Sequence, residues 1–348
     1  MARTRIGLDV GSTSVRAAEL TVGGGAPSLV RIAQVPLGPG AVENGEVRDV
    51  EAVTEAVREL WRRGGFKSRE ASLGVGNQRV VVREVTLPAL PEKEMRQSLP
   101  FQVQELIPIP MDEAVLDYDV LEELEEEGRK VQRLLVVAAQ REMVDRHLAV
   151  ATGAKLEAVG VDLVPFALVR SIGEYEGLGL EESDAGGEAV VDVGADVTNI
   201  SVHERGVPRF VRILPSGSND VTTSVATSLG VDTETAETFK RGGAASDDAR
   251  RTLEQRVTAL VDEIRSSLDF YRAQMPGAQV SRIRTSGGGS KMPGFIDLLG
   301  QRTGVATEAG HPFAKVDVRV ALSPQDLNEA EPLLAVAIGL ALPQEEPR

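Results

Sequence analysis

Apolar residues in the first 75 positions come in short runs separated by glycine-rich breaks, a pattern typical of strands joined by tight turns. The predicted strands cover residues 6–10, 15–22, 29–35 and 71–75. Before the last strand, apolar residues recur every three or four positions over residues 50–61, which predicts an amphipathic helix. The chain therefore begins as a three-stranded meander followed by a helix and a fourth strand.

Residues 79–152 are predicted to form a small unit, which we call the inserted subdomain. Its predicted elements are a strand at 79–87, a helix at 92–106 and a hairpin of strands at 115–121 and 131–138. We expect the acidic run at 122–127 to be a solvated loop at the tip of this hairpin. A strand at 155–161, an apolar helix at 163–172 and a connector rich in Gly, Glu and Ser at 173–187 follow.

The second half of the chain repeats the opening pattern. Its predicted strands cover residues 189–193, 200–203, 208–214 and 280–285, and its predicted helices cover 220–229, 233–240, one starting at 249, one starting at 294, and 333–342. An Asp-x-Gly motif ends the first strand of each half, at Asp9 and at Asp192, 183 residues later. A duplication of this length predicts two similar α/β lobes with a ligand cleft between them. We expect the lobes at residues 1–172 and 186–330, with the helix 333–342 returning to the first.

Composition narrows the possible functions. Asp and Glu outnumber Lys and Arg by 53 to 38, and the net charge of -15 argues against general affinity for nucleic acid or for a bare anionic membrane. The absence of cysteine excludes disulfides, thiolate metal sites and cysteine nucleophiles, and the three histidines are scattered along the chain. No apolar run approaches the ~20 residues of a membrane-spanning helix, and no signal peptide is evident. These features predict a cytoplasmic protein.

The first Asp-x-Gly motif has the residue types that bind a phosphate and its metal ion. Gly11 allows a sharp turn whose N–H groups can point at an anion, and Ser12 and Thr13 add hydroxyl groups. Arg16 adds a positive charge, and Asp9 is placed to hold hydrated Mg²⁺.

The second motif, with Asp192, Gly194 and Thr198, repeats this logic. Each motif alone is a common type of hairpin. Two copies that open the two halves of a duplicated chain predict a nucleotide clamp, with both carboxylates at one metal ion and a phosphate turn on each side.

A third glycine-rich segment follows the predicted strand at 280–285. Gly287, Gly288, Gly289 and Ser290 would let a flat base or a phosphate lie against bare backbone. The spacing to Lys291 does not fit a Walker loop, and a plain strand-to-helix turn is the alternative.

The order of these three motifs resembles the actin-like ATPase superfamily. The resemblance implies a duplicated actin-like ATPase fold of the α/β class, with ATP and Mg²⁺ as cofactors. It implies that the first two motifs and Gly217 contact the phosphates and the metal ion, and that the third motif contacts the adenosine. The residues Glu237, Lys240 and Arg241 resemble the superfamily's helix that contacts ribose and adenine, although an ordinary solvated helix face is the alternative.

Residues 83–88, 91–94 and 101–118 resemble the PilM family of type IV pilus assembly proteins, which are relatives of FtsA. The Ile-Pro-Ile-Pro sequence at 107–110 is the most specific part. The resemblance implies an adaptor in which a groove beside the inserted subdomain takes the cytosolic N-terminus of a bitopic, PilN-like membrane protein. That partner would recruit the chain to the inner face of the cytoplasmic membrane without direct membrane insertion. Other pilus platform proteins and motor ATPases remain open as partners, and no nucleic acid is expected.

Several alternatives stay open at the level of sequence. Val164 stands near the position where efficient actin-like ATPases carry a Glu or Gln, so we expect weak ATPase activity at most. A small-molecule (sugar) kinase would need a free aspartate, for which Asp162 and Asp196 are available. An FtsA-like division adaptor is disfavoured by the acidic residues 343–348, which do not suit a membrane helix. The groove candidates are equally suited to a core, and they are Phe101, Leu106, Ile107 and Pro108.

Overall fold

The computed structural model describes residues 3–174, 186–243, 246–275 and 277–344. The strands are β1 (Arg3–Val10), β2 (Ser14–Val22), β3 (Ser28–Pro36), β4 (Val42–Glu43), β5 (Glu46–Val47), β6 (Glu70–Val75), β7 (Val81–Pro88), β8 (Ala114–Glu126), β9 (Arg129–Gln140), β10 (Glu157–Leu163), β11 (Gly187–Val193), β12 (Thr198–Glu204), β13 (Val207–Leu214), β14 (Val280–Ser286), β15 (Ala306–Ala309) and β16 (Asp317–Val318). The helices are α1 (Val50–Gly64), α2 (Glu92–Val103), α3 (Arg141–Gly153), α4 (Val164–Ile172), α5 (Ser218–Leu229), α6 (Thr233–Thr238), α7 (Asp247–Gln274), α8 (Phe295–Thr303) and α9 (Pro324–Ala341). The predicted connector at 173–187 and the acidic residues 343–348 lie largely outside the described residues.

The two main sheets have the same topology. The first has the strand order β10-β6-β1-β2-β3-β16, and the second has the order β15-β14-β11-β12-β13 when it is read in the same direction. In both, an antiparallel meander (β1-β2-β3 or β11-β12-β13) continues into parallel strands (β6 and β10, or β14 and β15). We call the first sheet with its helices the first lobe and the second sheet with its helices the second lobe. The repeat that the sequence predicts is therefore a repeat of strand order and direction.

Apolar side chains cover both faces of the first sheet. On one face, Ile6, Leu8 and Val15 form a core with the apolar side of α1, which contributes Val53 and Val57. On the other face, α9 packs against β1 and β2. Because a meander alternates its side chains between two faces, both faces must be covered for the sheet to be buried.

The apolar helices that end the two halves pack against each other. Helix α4 ends the first half yet contacts β11 and β12 of the second sheet, whereas α9 contacts β1 and β2 of the first. A methyl group added at Gly339 of α9 would lie 1.9 Å from the carbonyl oxygen of Ala167 of α4. Glycine is therefore required where the two helix backbones approach, and this contact joins the lobes.

A separate three-stranded sheet, with the order β7-β9-β8, carries α2 on one face, and we call it the small sheet. Its core contains Met95, Leu99 and Val103 of α2, together with Leu134 and Val136 of β9. This sheet and α2 account for the strands and the helix predicted within the inserted subdomain.

The expectation of a solvated acidic loop at 122–127 is wrong. Residues Glu122–Glu126 continue β8, and the turn lies at Glu127 and Gly128, which both have a positive φ. Glu122 pairs across the hairpin with Arg133, and Glu126 lies opposite Arg129. Opposite charges across the ladder allow this acidic run to remain extended.

Two helices differ from the sequence prediction. Helix α3 was not predicted, and it packs against α1, with Val150 and Ala151 in the core of the first lobe. Helix α9 begins at Pro324, nine residues before the predicted start, with Ser323 as its N-cap. Within the ranges described above, no helix combines the length and the apolar content that crossing a membrane requires.

Candidate functional site

The two Asp-x-Gly motifs form the same turn in the two lobes. In the first, the N–H of Gly11 donates to the carbonyl oxygen of Ser14 over 3.1 Å. In the second, the N–H of Gly194 donates to the carbonyl oxygen of Val197 over 2.9 Å. Gly194 and Val197 each stand 183 positions after their counterparts, Gly11 and Ser14, so the repeat extends to individual hydrogen bonds. Ser12 is half-buried and Thr13 is exposed at the tip of the first turn, where their hydroxyl groups are accessible to a ligand.

The aspartate of each motif is buried and bonded to the residue opposite it in the hairpin. Asp9 lies opposite Arg16, whose Nη1 is 3.2 Å from its Oδ2. Asp192 lies opposite Asn199, whose Nδ2 donates to its Oδ2 over 3.3 Å. The first carboxylate therefore has a cationic partner, and the second has a neutral one.

The different partners of the two aspartates affect their pKa values. Burial and the negative charge of Asp9 raise the pKa of Asp192 to about 6. Burial also raises the pKa of Asp9, against the opposing effect of Arg16. Because the charge of Asp9 acts on Asp192 across the two lobes, the two carboxylates lie near each other, and a cation between them would oppose both raised pKa values.

Unpaired polar atoms accompany the two carboxylates. The Nε of Arg16 and the Oδ1 of Asn199 are buried and have no hydrogen-bond partner within the described residues. Buried polar atoms of folded proteins are normally paired, so a donor and an acceptor without partners fit a site completed by a polar ligand. Among all the residues that the structure describes, no group of three or more His, Asp or Glu side chains is arranged around a common metal position. A metal ion at Asp9 and Asp192 would therefore need water and ligand oxygens as further ligands.

The third motif closes against the second turn. Gly287 has a φ of +82°, and a methyl group added there would lie 2.3 Å from the carbonyl oxygen of Val193 and 2.9 Å from Oδ1 of Asp192. Gly288 is exposed, whereas Gly289 and Ser290 are buried. Bare backbone is thus required where the third motif reaches the Asp192 carboxylate, and Gly288 presents its backbone to the surface.

Gly217 extends this cradle. A methyl group added there would lie 2.3 Å from the carbonyl oxygen of Ala195. The following Ser218 begins α5 and donates its N–H to the carbonyl oxygen of Gly194. The hydroxyl of Thr198 donates to the carbonyl oxygen of Ser216 over 2.8 Å. The predicted phosphate residues of the second lobe are therefore brought together around one turn.

The predicted nucleoside residues lie beside the start of α5. The Nζ of Lys240 lies 2.7 Å from Oε2 of Glu237 and donates to the carbonyl oxygen of Ser218 over 3.2 Å. Thr222 donates to the same Oε2 of Glu237, and the exposed Arg241 bonds to its Oε1. Burial alone would raise the pKa of Glu237, but the hydrogen bonds from Lys240, Thr222 and Arg241 hold that pKa below its usual value. The solvated helix face considered as the alternative is wrong for Lys240, which is buried.

Sequence reasoning missed two polar residues of this site, Asn199 and Thr222. The signal for Asn199 was available, because it stands 183 residues after Arg16 and so occupies the equivalent position. Thr222 has no counterpart in a motif, and only the packing of α5 against α6 brings it to Glu237.

The aspartates that a small-molecule kinase would need are already engaged. Asp162 forms an ion pair with Arg170 and accepts the N–H of Leu163 over 2.7 Å. Asp196 accepts a hydrogen bond from Asn219 over 2.8 Å. Neither carboxylate is placed as a free base, so no observation favours that alternative.

A second candidate site lies beside the small sheet. Three of its four candidate residues are exposed, Phe101 (76%), Leu106 (49%) and Pro108, whereas Ile107 is buried in the core under α2. The segment at 107–110 is thus partly structural, because its isoleucines fill the core of the small sheet and leave Phe101 as the prominent exposed apolar side chain.

Two strands of the first half of the chain, β8 and β10, each have one unpaired edge. Within the described residues, β8 pairs only with β9, and β10 pairs only with β6. Burial raises the pKa of Asp119 on β8, and the charges of Asp117 and Asp162 raise it further. Asp162 belongs to β10, so a charge on that strand acts on a side chain of β8. Val159 and Val161 of β10 are exposed.

Comparison with known proteins decides the family. A family model for the type IV pilus assembly protein PilM matches residues 7–345. The chain belongs to the PilM family. Among solved structures, it is similar to a chain of the "PilM-PilN type IV pilus biogenesis complex", with 30% identity, 97% of each chain covered and a TM-score of 0.83. The predicted PilM family membership is therefore confirmed.

More distant relatives confirm the actin-like fold of this PilM family member. MreB5 of Spiroplasma citri bound to ADP is 13% identical, with 97% of this chain and 94% of that chain covered and a TM-score of 0.52. The ethanolamine utilization protein EutJ from Carboxydothermus hydrogenoformans is 18% identical, with 97% and 89% covered and a TM-score of 0.56. The cell division protein FtsA of Bacillus subtilis (strain 168) is 20% identical over 381 residues, which cover 96% of this chain and 82% of FtsA.

Proposed function

We propose that this chain is a nucleotide-binding adaptor of the type IV pilus assembly platform. It binds Mg-ATP between its lobes and the cytosolic N-terminal segment of a PilN-like bitopic membrane protein beside the small sheet. One observation carries the nucleotide part: Asp9 and Asp192, on equivalent turns of different lobes, are both buried, and the charge of Asp9 raises the pKa of Asp192. The lobes correspond to residues 1–172, closed by the helix 333–342, and to residues 186–330. The predicted range 79–152 is inserted in the first lobe, and α3 at its end packs into the core of that lobe.

The residues of the cleft divide by the part of the ligand they suit. Asp9 and Asp192 would hold Mg²⁺, which supplies the positive charge that their carboxylates lack. The turns at Gly11, Ser12 and Thr13 and at Gly194 and Thr198, with Arg16 and Gly217, would hold the phosphates. Glu237, Lys240, Arg241 and the segment from Gly287 to Ser290 would hold the nucleoside. Since each lobe contributes one turn, a ligand held by both favours one angle between the lobes.

Nucleotide binding by this chain is better supported than ATP hydrolysis. Val164 has no polar group with which to orient a water molecule, and its side chain packs against Gly74 and Gly76 at the end of β6. The proposal therefore gives the nucleotide a conformational role, with weak hydrolysis at most.

The partner would bind between the edges of β8 and β10. An extended peptide can add to an unpaired strand edge through main-chain hydrogen bonds, while side-chain contacts provide specificity. The exposed Val159 and Val161 offer apolar contacts on β10. The 30% identical chain from the PilM–PilN complex supports this type of partner. Through such a partner, the chain would be held at the inner face of the cytoplasmic membrane, with other platform proteins and motor ATPases as further candidates for contact.

The nucleotide part is tested by thermal unfolding with Mg-ATP. A ligand at 100 times its Kd stabilises the folded state by about 2.7 kcal/mol. We expect this stabilisation in the wild type, its loss in Asp9→Asn, and its retention in Asp145→Asn, which changes an exposed aspartate elsewhere in the first lobe. Equal stabilisation of all three proteins would contradict the assignment of Asp9.

The partner part is tested by fluorescence anisotropy with a labelled N-terminal peptide of the PilN-like protein. Val161 and Leu322 have matched exposure, 37% and 39%. We expect Val161→Glu to weaken peptide binding by about tenfold or more, as the loss of a buried interface contact does, and Leu322→Glu to leave it unchanged. Equal effects of the two variants, or no peptide binding at all, would overturn the placement of the partner.

A further inference from the structure

A cleft of about 490 Å³ lies in the first lobe, away from both sites described above. It is formed where α1 and α3 end and where β6 and β10 begin. Because β6 runs parallel to β1, the cleft lies at the end of the sheet opposite Asp9. Four cationic and two aromatic side chains line it: Arg58, Arg62, Arg69, Lys155, Trp61 and Phe66.

Local structure explains how these cations converge. Arg58, Trp61 and Arg62 are three and four residues apart on α1, so they share one face of its last turns. Arg69 immediately precedes β6. Lys155 lies between α3 and β10 with a φ of +60°, a conformation that turns the chain sharply at the rim of the cleft.

The two aromatic side chains of the cleft, Trp61 and Phe66, are held in fixed positions. The rings of Trp61 and Phe66 lie 5.2 Å apart between centroids, and both side chains are buried. The Nε1 of Trp61 donates to the carbonyl oxygen of Ser68 over 2.9 Å. A methyl group added at Gly64 would lie 2.3 Å from the Phe66 ring, so glycine is needed for this packing. The cations therefore surround a fixed surface.

The charge balance of the cleft is opposite to that of the whole protein. No Asp or Glu lines it, although the chain has a net charge of -15. Arg58 bonds to Glu55 and to the carbonyl oxygen of Gly153, and Arg62 bonds to Glu59. Those two arginines also suit the negative ends of the helices.

Helix ends do not account for the other two cations. Neither Arg69 nor Lys155 has a side-chain ion pair within the residues that the structure describes. Positive charge that converges on a concave surface without compensation favours an anionic ligand.

The surroundings of the cleft restrict the shape of that ligand. Glu55 and Glu59 lie one helical turn away on α1, and Glu157 bonds through its N–H to the carbonyl oxygen of Arg69. A flat anionic bilayer would meet these carboxylates as well as the cations, whereas a small ligand inside the cleft would meet the cations alone. Guanidinium groups bind phosphate oxygens in pairs, which favours phosphate over a single carboxylate.

We propose that this cleft binds a compact, multiply charged phosphate ligand. The ligand class comprises inorganic oligophosphates and small phosphate esters, held by Arg58, Arg62, Arg69 and Lys155 above Trp61 and Phe66. The site is independent of the nucleotide cleft.

The chain contains a single tryptophan, Trp61, so intrinsic tryptophan fluorescence reports on this cleft. Inorganic pyrophosphate is the probe, added to the full chain in EDTA so that no metal ion assists binding at Asp9 and Asp192. We expect a saturable change of the Trp61 emission at millimolar or lower pyrophosphate, and weaker binding at higher salt because the attraction is electrostatic. No saturable change up to about 10 mM, which corresponds to a binding free energy weaker than about 3 kcal/mol, would overturn the proposal.

Matched variants locate the binding. Arg62 and Arg63 both bond to Glu59 in the last turn of α1, but only Arg62 lines the cleft. Each lost charged hydrogen bond is worth about tenfold in affinity, so Arg62→Gln and Arg69→Gln should each weaken pyrophosphate binding by about that factor. Arg63→Gln should leave it within about twofold of the wild type, since Arg63 does not line the cleft and so makes no bond to the ligand.

Three results would each overturn the proposal. The first is an equal loss in Arg63→Gln, which would indicate a general charge effect. The second is binding of tetraglutamate as tight as that of pyrophosphate, which would indicate an acidic peptide site. The third is binding to anionic phospholipid vesicles that depends on Arg62 and Arg69 while pyrophosphate does not bind, which would indicate a membrane surface.

Discussion

Arg209 of β13 and Glu84 of β7 form an ion pair that joins the second lobe to the small sheet, with 2.8 Å between Nη1 and Oε1. Both side chains are partly buried, and Arg209 also bonds to Glu204. Burial by itself would lower the pKa of Arg209, but the hydrogen bond and charge of Glu84, with the charge of Glu204, raise it. The strand edge proposed to bind the partner therefore belongs to a sheet that is tied to the opposite lobe.

This ion pair predicts that replacing Arg209 weakens the coupling between Mg-ATP binding and peptide binding. If Mg-ATP changes the angle between the lobes, Arg209 transmits that change to the small sheet, and typical couplings between sites amount to about 5- to 150-fold in affinity. Arg209→Gln should bring the ratio of peptide Kd values with and without Mg-ATP towards one, as measured by anisotropy.

Arg212→Gln is the matched control, because Arg212 lies on the same strand, is exposed and contacts Phe270. Glu84→Gln should reproduce the effect of Arg209→Gln, and the double variant should add nothing further. An unchanged ratio in Arg209→Gln would show that coupling takes another route.

The raised pKa of Asp192 predicts a pH dependence of stability in the absence of ligand. A carboxyl group whose pKa is raised by folding stabilises the folded state below its unfolded pKa, and that contribution is lost as the pH rises through about 6. The cost of ionisation is about 2–3 kcal/mol from the size of the shift. Asp192→Asn should therefore be more stable than the wild type at pH 7.5 in EDTA, with the difference shrinking at pH 5. Urea unfolding at both pH values measures it, and a difference that grows at pH 5 would contradict the assigned direction.

Replacing Gly287 should damage both folding and nucleotide binding. In Gly287→Ala, strain at a φ of +82° adds to a clash of the new methyl group with the carbonyl oxygen of Val193. The expected loss of unfolding free energy is about 2–4 kcal/mol, and Mg-ATP should no longer stabilise the protein. Gly294→Ala is the control, because Gly294 also has a positive φ, +74°, but has open space around it. A loss in Gly287→Ala no larger than the roughly 1 kcal/mol expected from strain alone would mean that the cradle relaxes.

Two helical glycines should respond in opposite directions to alanine. Gly339→Ala in α9 would force the α4 and α9 backbones apart, because the new methyl group lies 1.9 Å from the carbonyl oxygen of Ala167. We expect a loss of about 3 kcal/mol in chemical unfolding. In α8, Gly300→Ala would meet only ordinary contacts at 3.4 Å or more and should gain up to about 1 kcal/mol from helix propensity. An unchanged free energy of unfolding in Gly339→Ala would mean that the lobes tolerate a wider spacing between α4 and α9.

Most of the fold could be predicted from the sequence, because the repeat appears in local patterns of apolar and turn residues. Each strand of the meanders has apolar residues that a sheet must bury, and the Asp-x-Gly turns recur at the same spacing in both halves. Helix α3 escaped prediction, since its burial depends on α1, which lies about 90 residues earlier in the chain. The acidic end of β8 escaped it too, because its extended form depends on Arg129 and Arg133 in the facing strand.

By itself, then, the sequence determined the duplicated α/β architecture, the order of the three motifs and the family. Only the tertiary structure decided which polar groups meet. It paired Asp192 with Asn199 instead of with a cation, buried Lys240 against Glu237, and placed Ile107 inside the core while leaving Phe101 outside. The physical reason is that residue type and spacing determine which surface an element can bury. Charge pairing and exposure depend on neighbours that are distant in sequence and come together only when the lobes pack.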